Sequence, residues 1–178
     1  MDPLNPTSTY EVPKGDSKYL KFEKGLTEFM PLASAVVGWL YWTNDKKPLR
    51  LAEEPKNPRD LPDIKITEGK ADVKHFWAFP VWDFADSKVK VLEITQKTIM
   101  SAVRDYATNT KWGTPVMKYS FTVKREGDGF DTEYTIMANP AVDILHDTIV
   151  AWEAALAGGF DIRRLFIGGD PFTPDAKN

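Results

Sequence analysis

Between Lys74 and Phe84 the sequence packs five aromatic rings and a histidine into eleven residues, Lys-His-Phe-Trp-Ala-Phe-Pro-Val-Trp-Asp-Phe. A second run of the same character, Val36-Val37-Gly38-Trp39-Leu40-Tyr41-Trp42, is followed by Asp45-Lys46-Lys47 and then Arg50. Rings take up planar groups by stacking, and nearby cations hold the phosphates that link them, which is how a single nucleic-acid strand is bound. Trp39, Tyr41, Trp77 and Trp82 are the leading stacking candidates, with Trp42 and Phe76 in the same runs. Lys46, Lys47 and Arg50 follow the first run, while Lys74, Lys88 and Lys90 flank the second. Lys111 precedes Trp112, and Lys118, Lys124 and Arg125 line a later alternating segment. Phosphate contacts by such groups make affinity fall with salt through counterion release.

Other chemistries find less support. The chain has no Cys and two His, His75 and His146, which sets aside zinc fingers, iron–sulfur clusters, thiol catalysis and disulfides. Asp83, Asp86 and Glu93 could gather as acids or Mg²⁺ ligands, but acids beside turns are usually solvated. Gly127-Asp128-Gly129 lacks the strand-to-helix setting of a phosphate loop and reads as a hairpin turn. No nucleophile and base stand at a telling spacing, so an enzyme, a metal or a cofactor is not expected.

The elements that must position the rings are read from periodicity. Both aromatic runs are strands, being rich in aromatic and β-branched residues and bounded by Gly or charges. Alternation puts His75, Trp77, Phe79 and Val81 on one face of the second strand and Phe76, Ala78, Pro80, Trp82 and Phe84 on the other. One face suffices for a core, so rings on the second are expected at the surface. Residues 18–32 read as a bent strand or hairpin, and the proline- and charge-rich stretch 44–72 as a long connection with little regular structure. Lys88 to Ile94 forms a strand whose apolar residues change phase, predicting a bulge near Val91. Thr95 caps a helix to about Ala107. Residues 116–125 and 132–137 form a hairpin, with Met117, Tyr119, Phe121 and Val123 inward. Asn139-Pro140 starts a last helix, with Leu145, Ile149, Trp152 and Leu156 as its apolar stripe and Gly158-Gly159 as its end.

This order is that of a mainly β protein, an OB-fold: a five-stranded Greek-key barrel with a helix between strands 3 and 4, here with an extra C-terminal helix at 140–157. The expected organisation is a flexible arm over 1–17, one domain over 18–157 and an acidic, irregular tail over 158–178. Charge is uneven along it. Residues 1–13 carry −2, residues 14–125 carry 20 bases against 14 acids, and residues 126–178 carry 3 against 10. An acidic C-terminal part could lie over a cationic groove, recruit partners, or simply be a solvated surface. Nothing near residue 1 resembles a signal peptide and no apolar run reaches the roughly 20 residues of a membrane span, so a soluble, cytoplasmic protein is expected.

The series Lys21-Phe22-Glu23 with Phe29, Gly38-Trp39-Leu40-Tyr41-Trp42, His75-Phe76-Trp77-Ala78, Val91-Leu92-Glu93-Ile94-Thr95-Gln96, Trp112-Gly113-Thr114-Pro115 and Thr132-Glu133-Tyr134 resembles the bacteriophage single-stranded DNA-binding proteins of the OB-fold type. The resemblance spans roughly residues 18–137. It implies a non-catalytic, sequence-nonspecific coat for single-stranded DNA in phage replication and recombination, located in the host cytoplasm. It also implies an acidic C-terminal region that recruits replication or recombination proteins; Asp170-Pro171-Phe172 is similar to the Phe-containing acidic tip of bacterial single-strand binders. The structural zinc of some members cannot be copied without Cys. The helix at 140–157 is outside the resemblance and either packs on the barrel or mediates self-association. Two other classes stay open on the residues alone: a carbohydrate- or peptide-binding β domain, and an assembly protein whose rings form an interface.

Overall fold

A computed structural model of the chain describes residues 17–173. All but Ser17 of the expected N-terminal arm, and residues 174–178, lie outside the described residues. Nine strands and two α-helices follow in the order β1 (Gly25–Pro31), β2 (Val36–Trp42), β3 (Pro48–Leu51), β4 (Ile66–Thr67), β5 (Lys70–Ala71), β6 (Val73–Asp83), β7 (Lys88–Ile94), α1 (Lys97–Thr108), β8 (Phe121–Glu126), β9 (Glu133–Ala138) and α2 (His146–Ala157).

The aromatic strand β6 is the spine. β7 pairs with one edge of it in unbroken register, from Trp77 opposite Ile94 to Asp83 opposite Lys88. Its other edge is shared: β2 takes the first half, with Trp39 opposite His75, and β1 takes the second, with Phe29 opposite Asp83. Leu32 N–H donates to Pro80 O at 2.9 Å and holds the β1–β2 joint on that edge. β1 pairs in turn with β8, β8 with β9, and β2 with the edge strand β3, all antiparallel.

The sheet curls round a core because its inward residues are large and apolar. Phe29, Phe79 and Phe121 meet at ring separations of 5.7–6.3 Å. Val81, Leu92, Ile94 and Val123 surround them, and α1 inserts Ile99, Met100 and Val103. Burial of each such side chain contributes about 1.5–3 kcal/mol before conformational entropy is set against it. β7 and β9 do not pair among the described residues; α1 packs on β9 and into the same core. The protein is therefore mainly β, an antiparallel barrel-like sheet with added helices.

The second face of the spine differs from expectation. Phe76, Ala78, Val91 and Leu40 lie under Leu165 and Phe166, which belong to a 3₁₀ helix at Ile162–Ile167. Trp82, with Met30 and Leu32, lies against Trp152 and Ala151 of α2 and against Ile144. Both faces of β7 and of the second half of β6 are thus covered. This is why β7 is apolar on both phases: the bulge expected near Val91 is absent, and Val91 and Leu92 simply point into different cores. Gly38 permits the close approach, since a Cβ there would collide with Leu51 O and with the Phe166 ring.

The C-terminal part is correspondingly more ordered than an irregular tail. Asp161 accepts from Arg163 N–H at 2.9 Å to cap the 3₁₀ helix, and Arg164 Nη1 donates to Gly159 O and Pro171 O at 2.6 and 3.1 Å. Lys18 pairs with Asp170, tying this segment to residues ahead of β1. α2 begins at His146 and not at Pro140, because the Asn139 amide donates to Ser120 Oγ and Thr122 Oγ1, both at 2.9 Å, instead of capping a helix. Its buried side is Thr148, Ala151, Trp152 and Ala155, so Leu145, Ile149 and Leu156 of the expected apolar stripe are exposed. The 44–72 connection holds β3, a 3₁₀ turn at Pro58–Asp60 and the β4–β5 hairpin.

Candidate functional site

β2, β3 and the first half of β6 run on past the closed core, and there the inner face of the sheet opens into a groove of about 570 Å³. Its floor is Trp39, Val73 and His75. Direct pairing across β2 and β6 brings the Trp39 and His75 rings to a centroid separation of 5.1 Å with planes inclined by 50°. Trp39 is half-buried and His75 exposed, so both present ring surface to solvent. One wall is the β3–β6 connection, with Glu54, Pro55, Pro58 and Ala71. The other is the start of α1, with Thr95, Lys97 and Met100, while Lys74 stands on the rim.

The potential in the groove favours an anion on the α1 side. Lys97 opens a helix that has no acid in its first turn and whose N-cap, Gln96, makes no side-chain capping bond. The positive end of the helix dipole and the ammonium therefore add. Lys97 has no ion pair among the described residues, and Lys74 is only loosely held by Asp72 at 3.8 Å, both being exposed. A groove of this size, apolar on its floor and cationic on one wall, has room for stacked bases with phosphates toward α1.

Several predicted site residues are not in it. Phe76 and Trp82 are buried beneath the C-terminal segment, at 0% and 2% exposure, and cannot stack on a ligand. Tyr41 is buried as well: the loop closes over it, its hydroxyl donates to Pro62 O at 3.2 Å, and burial, with Asp63 nearby, pushes its pKa up. Trp77 is half-buried and packs on the main core. Trp42 is exposed but on the face opposite Trp39.

Among the cations, Arg50 is engaged by Glu93 at 2.6 and 3.3 Å over the Phe76 ring. Lys90 is buried between Asp83 at 2.8 Å and Asp86 at 2.5 Å. Burial opposes its charge, but the two carboxylates outweigh that and raise its pKa. Asp83 and Asp86 thus hold a lysine, and no group of three or more metal-ligating side chains exists among the described residues. Lys124 pairs with Glu126 at 2.6 Å, Arg125 donates to Phe22 O at 3.1 Å, and Lys118 donates to Trp112 O at 3.0 Å. Lys46, Lys47, Lys88 and Lys111 are exposed and do not line the groove. The groove thus gathers Trp39 and Lys74 from the predicted set and adds His75, Glu54, Pro55, Pro58 and Lys97. A lysine at a helix start without acids was the legible signal for the last of these.

Fold and groove together define a mainly β protein with an open, aromatic-floored cleft. The chain is 25% identical over 143 residues to a protein of Escherichia phage T5 named "Probable ssDNA-binding protein", a match taking in 67% of this chain and 54% of that protein. It spans about half the length of that relative. No family model matches the chain, and no solved structure matches it. No helix among the described residues is long and apolar enough to cross a membrane.

Proposed function

We propose that the chain is a sequence-tolerant single-stranded DNA-binding protein that holds the strand in the groove. The observation that carries this is the Trp39–His75 ring pair, open to solvent on the floor of a cleft with Lys74 and Lys97 at its margins. Bases stack on the rings and phosphates run along the α1 wall. The likeness to the phage T5 protein supports the same reading. An OB-fold is supported by the strand pairings, in which the β1–β2 strand pairs with both β6 and β8, and a helix joins β7 to β8. The chain acts, on this reading, in phage DNA replication or recombination within the host cytoplasm, without a catalytic step. Lys46, Lys47, Trp42, Lys88, Lys111 and Lys118 are exposed outside the groove and serve as secondary contacts where the strand leaves it.

The acidic C-terminal part has a different role from the one its charge alone suggests. Its packing against Phe76 and Val91 makes it a fixed cover of the outer face, leaving exposed acids such as Asp143, Asp147 and Glu153 to meet replication or recombination proteins. The exposed apolar residues Leu145, Ile149, Val150 and Leu156 on and beside α2 favour self-association as a second property.

The test is a titration with oligo-dT and with a duplex of equal length, at low and high salt, followed by tryptophan emission. Quenching by oligo-dT, little by duplex and weakening with salt is the expected result. Absence of response to either nucleic acid at low salt refutes the proposal, and binding of a neutral glycan would then direct attention to the carbohydrate reading.

A further inference from the structure

We infer that Glu54 reads base identity in the groove, favouring guanine and disfavouring thymine; this rests on the single-strand reading above. Glu54 supplies the one carboxylate among the groove-lining residues, on the wall facing the Trp39–His75 floor. It makes no hydrogen bond or ion pair among the described residues, so its oxygens are unspent. It precedes Pro55, which confines the backbone of Glu54 to extended conformations and limits where the carboxylate can swing. The cations stand elsewhere, Lys97 on the α1 wall and Lys74 on the rim.

A base stacked on the floor with its phosphate toward α1 turns its Watson–Crick edge to the Glu54 wall, because sugar and edge lie on opposite sides of the ring. In a single strand that edge is unpaired. A carboxylate only accepts hydrogen bonds and can take two side by side. Guanine offers two parallel donors there, N1–H and the 2-amino group. Thymine offers one N–H flanked by two carbonyl oxygens, which the carboxylate repels. Cytosine and adenine, with one amino group beside a ring-nitrogen acceptor, fall between. The same charge also repels phosphates, so Glu54 trades general affinity for discrimination among bases.

Deoxyinosine separates these effects, since it is guanine without the 2-amino group and carries the same charge. The probes are thymidine-rich oligonucleotides of one length in which every third base is G, inosine or T. They are titrated against the wild-type chain, Glu54→Gln and Glu54→Ala, with thermal unfolding of each variant as the check on folding. The expected wild-type order is G tighter than inosine, and inosine tighter than T, with G over inosine by about three- to tenfold for one exposed charge-assisted hydrogen bond. Both variants should bring the G-to-inosine ratio close to one while binding the T probe more tightly. A G-to-inosine ratio that is the same in the wild type and both variants overturns the inference and leaves Glu54 as a repulsive charge in a working DNA groove. Failure of the wild type to bind any probe at low salt overturns the single-strand reading and this inference with it.

Discussion

Replacing Trp39 and Trp82 separately by Ala separates the groove from the covered face. Both tryptophans belong to the aromatic runs, yet Trp39 shares the groove floor with His75 while Trp82 is 2% exposed among Met30, Leu32 and Trp152. Stacking of one base on a ring is worth about 1–3 kcal/mol. Because Trp39 is half-buried and offers one face, the lower part of that range applies, and a loss of about 1–2 kcal/mol weakens single-strand binding roughly 5- to 30-fold. The fold should tolerate this change, since Trp39 has no place in the buried clusters. Trp82→Ala has the inverse profile. Deleting a fully buried indole costs about 3–5 kcal/mol of stability, while the affinity of the molecules that remain folded stays unchanged. Binding is read by fluorescence anisotropy of a labelled oligonucleotide, and stability by urea unfolding. Wild-type affinity in Trp39→Ala, or weakened binding by fully folded Trp82→Ala, would show that the strand lies elsewhere.

Four further outcomes follow from the same structure. Leu165→Ala should destabilise by about 2–4 kcal/mol in urea unfolding, because Leu165 fills a core and not a loose tail; a neutral result would mean the C-terminal cover is not docked. Lys90→Ala leaves Asp83 buried and unpaired and should cost about 3–5 kcal/mol, whereas the Lys90→Met, Asp83→Asn double variant should recover much of that in the same assay. Lys18, together with Phe172 N–H, holds the Asp170 carboxyl below its usual 3.8. That stabilisation is present above pH 3.8 and is lost as pH falls through the lowered value, so melting profiles in acid should show a drop that Asp170→Asn removes. Gly38→Ala should lower the melting temperature and raise binding of a hydrophobic dye, because its methyl group collides with the Leu51 carbonyl and the Phe166 ring.

The sequence displays its strands clearly where alternation or aromatic density is strong, as in β2, β6, β7 and the β8–β9 hairpin, and it places α1 to within two residues at its start. What it conceals is what covers a face. β7 is apolar on both phases because two different cores flank it, a pattern that a bulge would also produce. α2 is apolar nearly all round, so periodicity could not identify the side formed by Thr148, Ala151 and Trp152. Short pairings such as β4–β5 and the Ile162–Ile167 turn hide in proline, glycine and charge, where local propensity is weak and tertiary contacts decide. The candidate groove was legible only as a type of surface, rings beside cations. Its location was not, because the choice between Trp39 and Trp82 depends on Ile144, Ala151 and Trp152, some 60 to 70 residues further along the chain than Trp82.

Gly38 and Trp39 are adjacent and face opposite sides of the sheet, so the plate that carries the ring pair is one sheet thick and is braced from behind. Leu40 and Phe76 press on Leu165 and Phe166, leaving no slack into which the floor could sink. On the proposed reading, a flexible strand arriving at this plate gives up its own freedom while the plate is already held in place, so the entropic cost of association falls mainly on the strand. On that reading the C-terminal cover shapes the groove from behind, through Leu165 and Phe166, without touching what enters it.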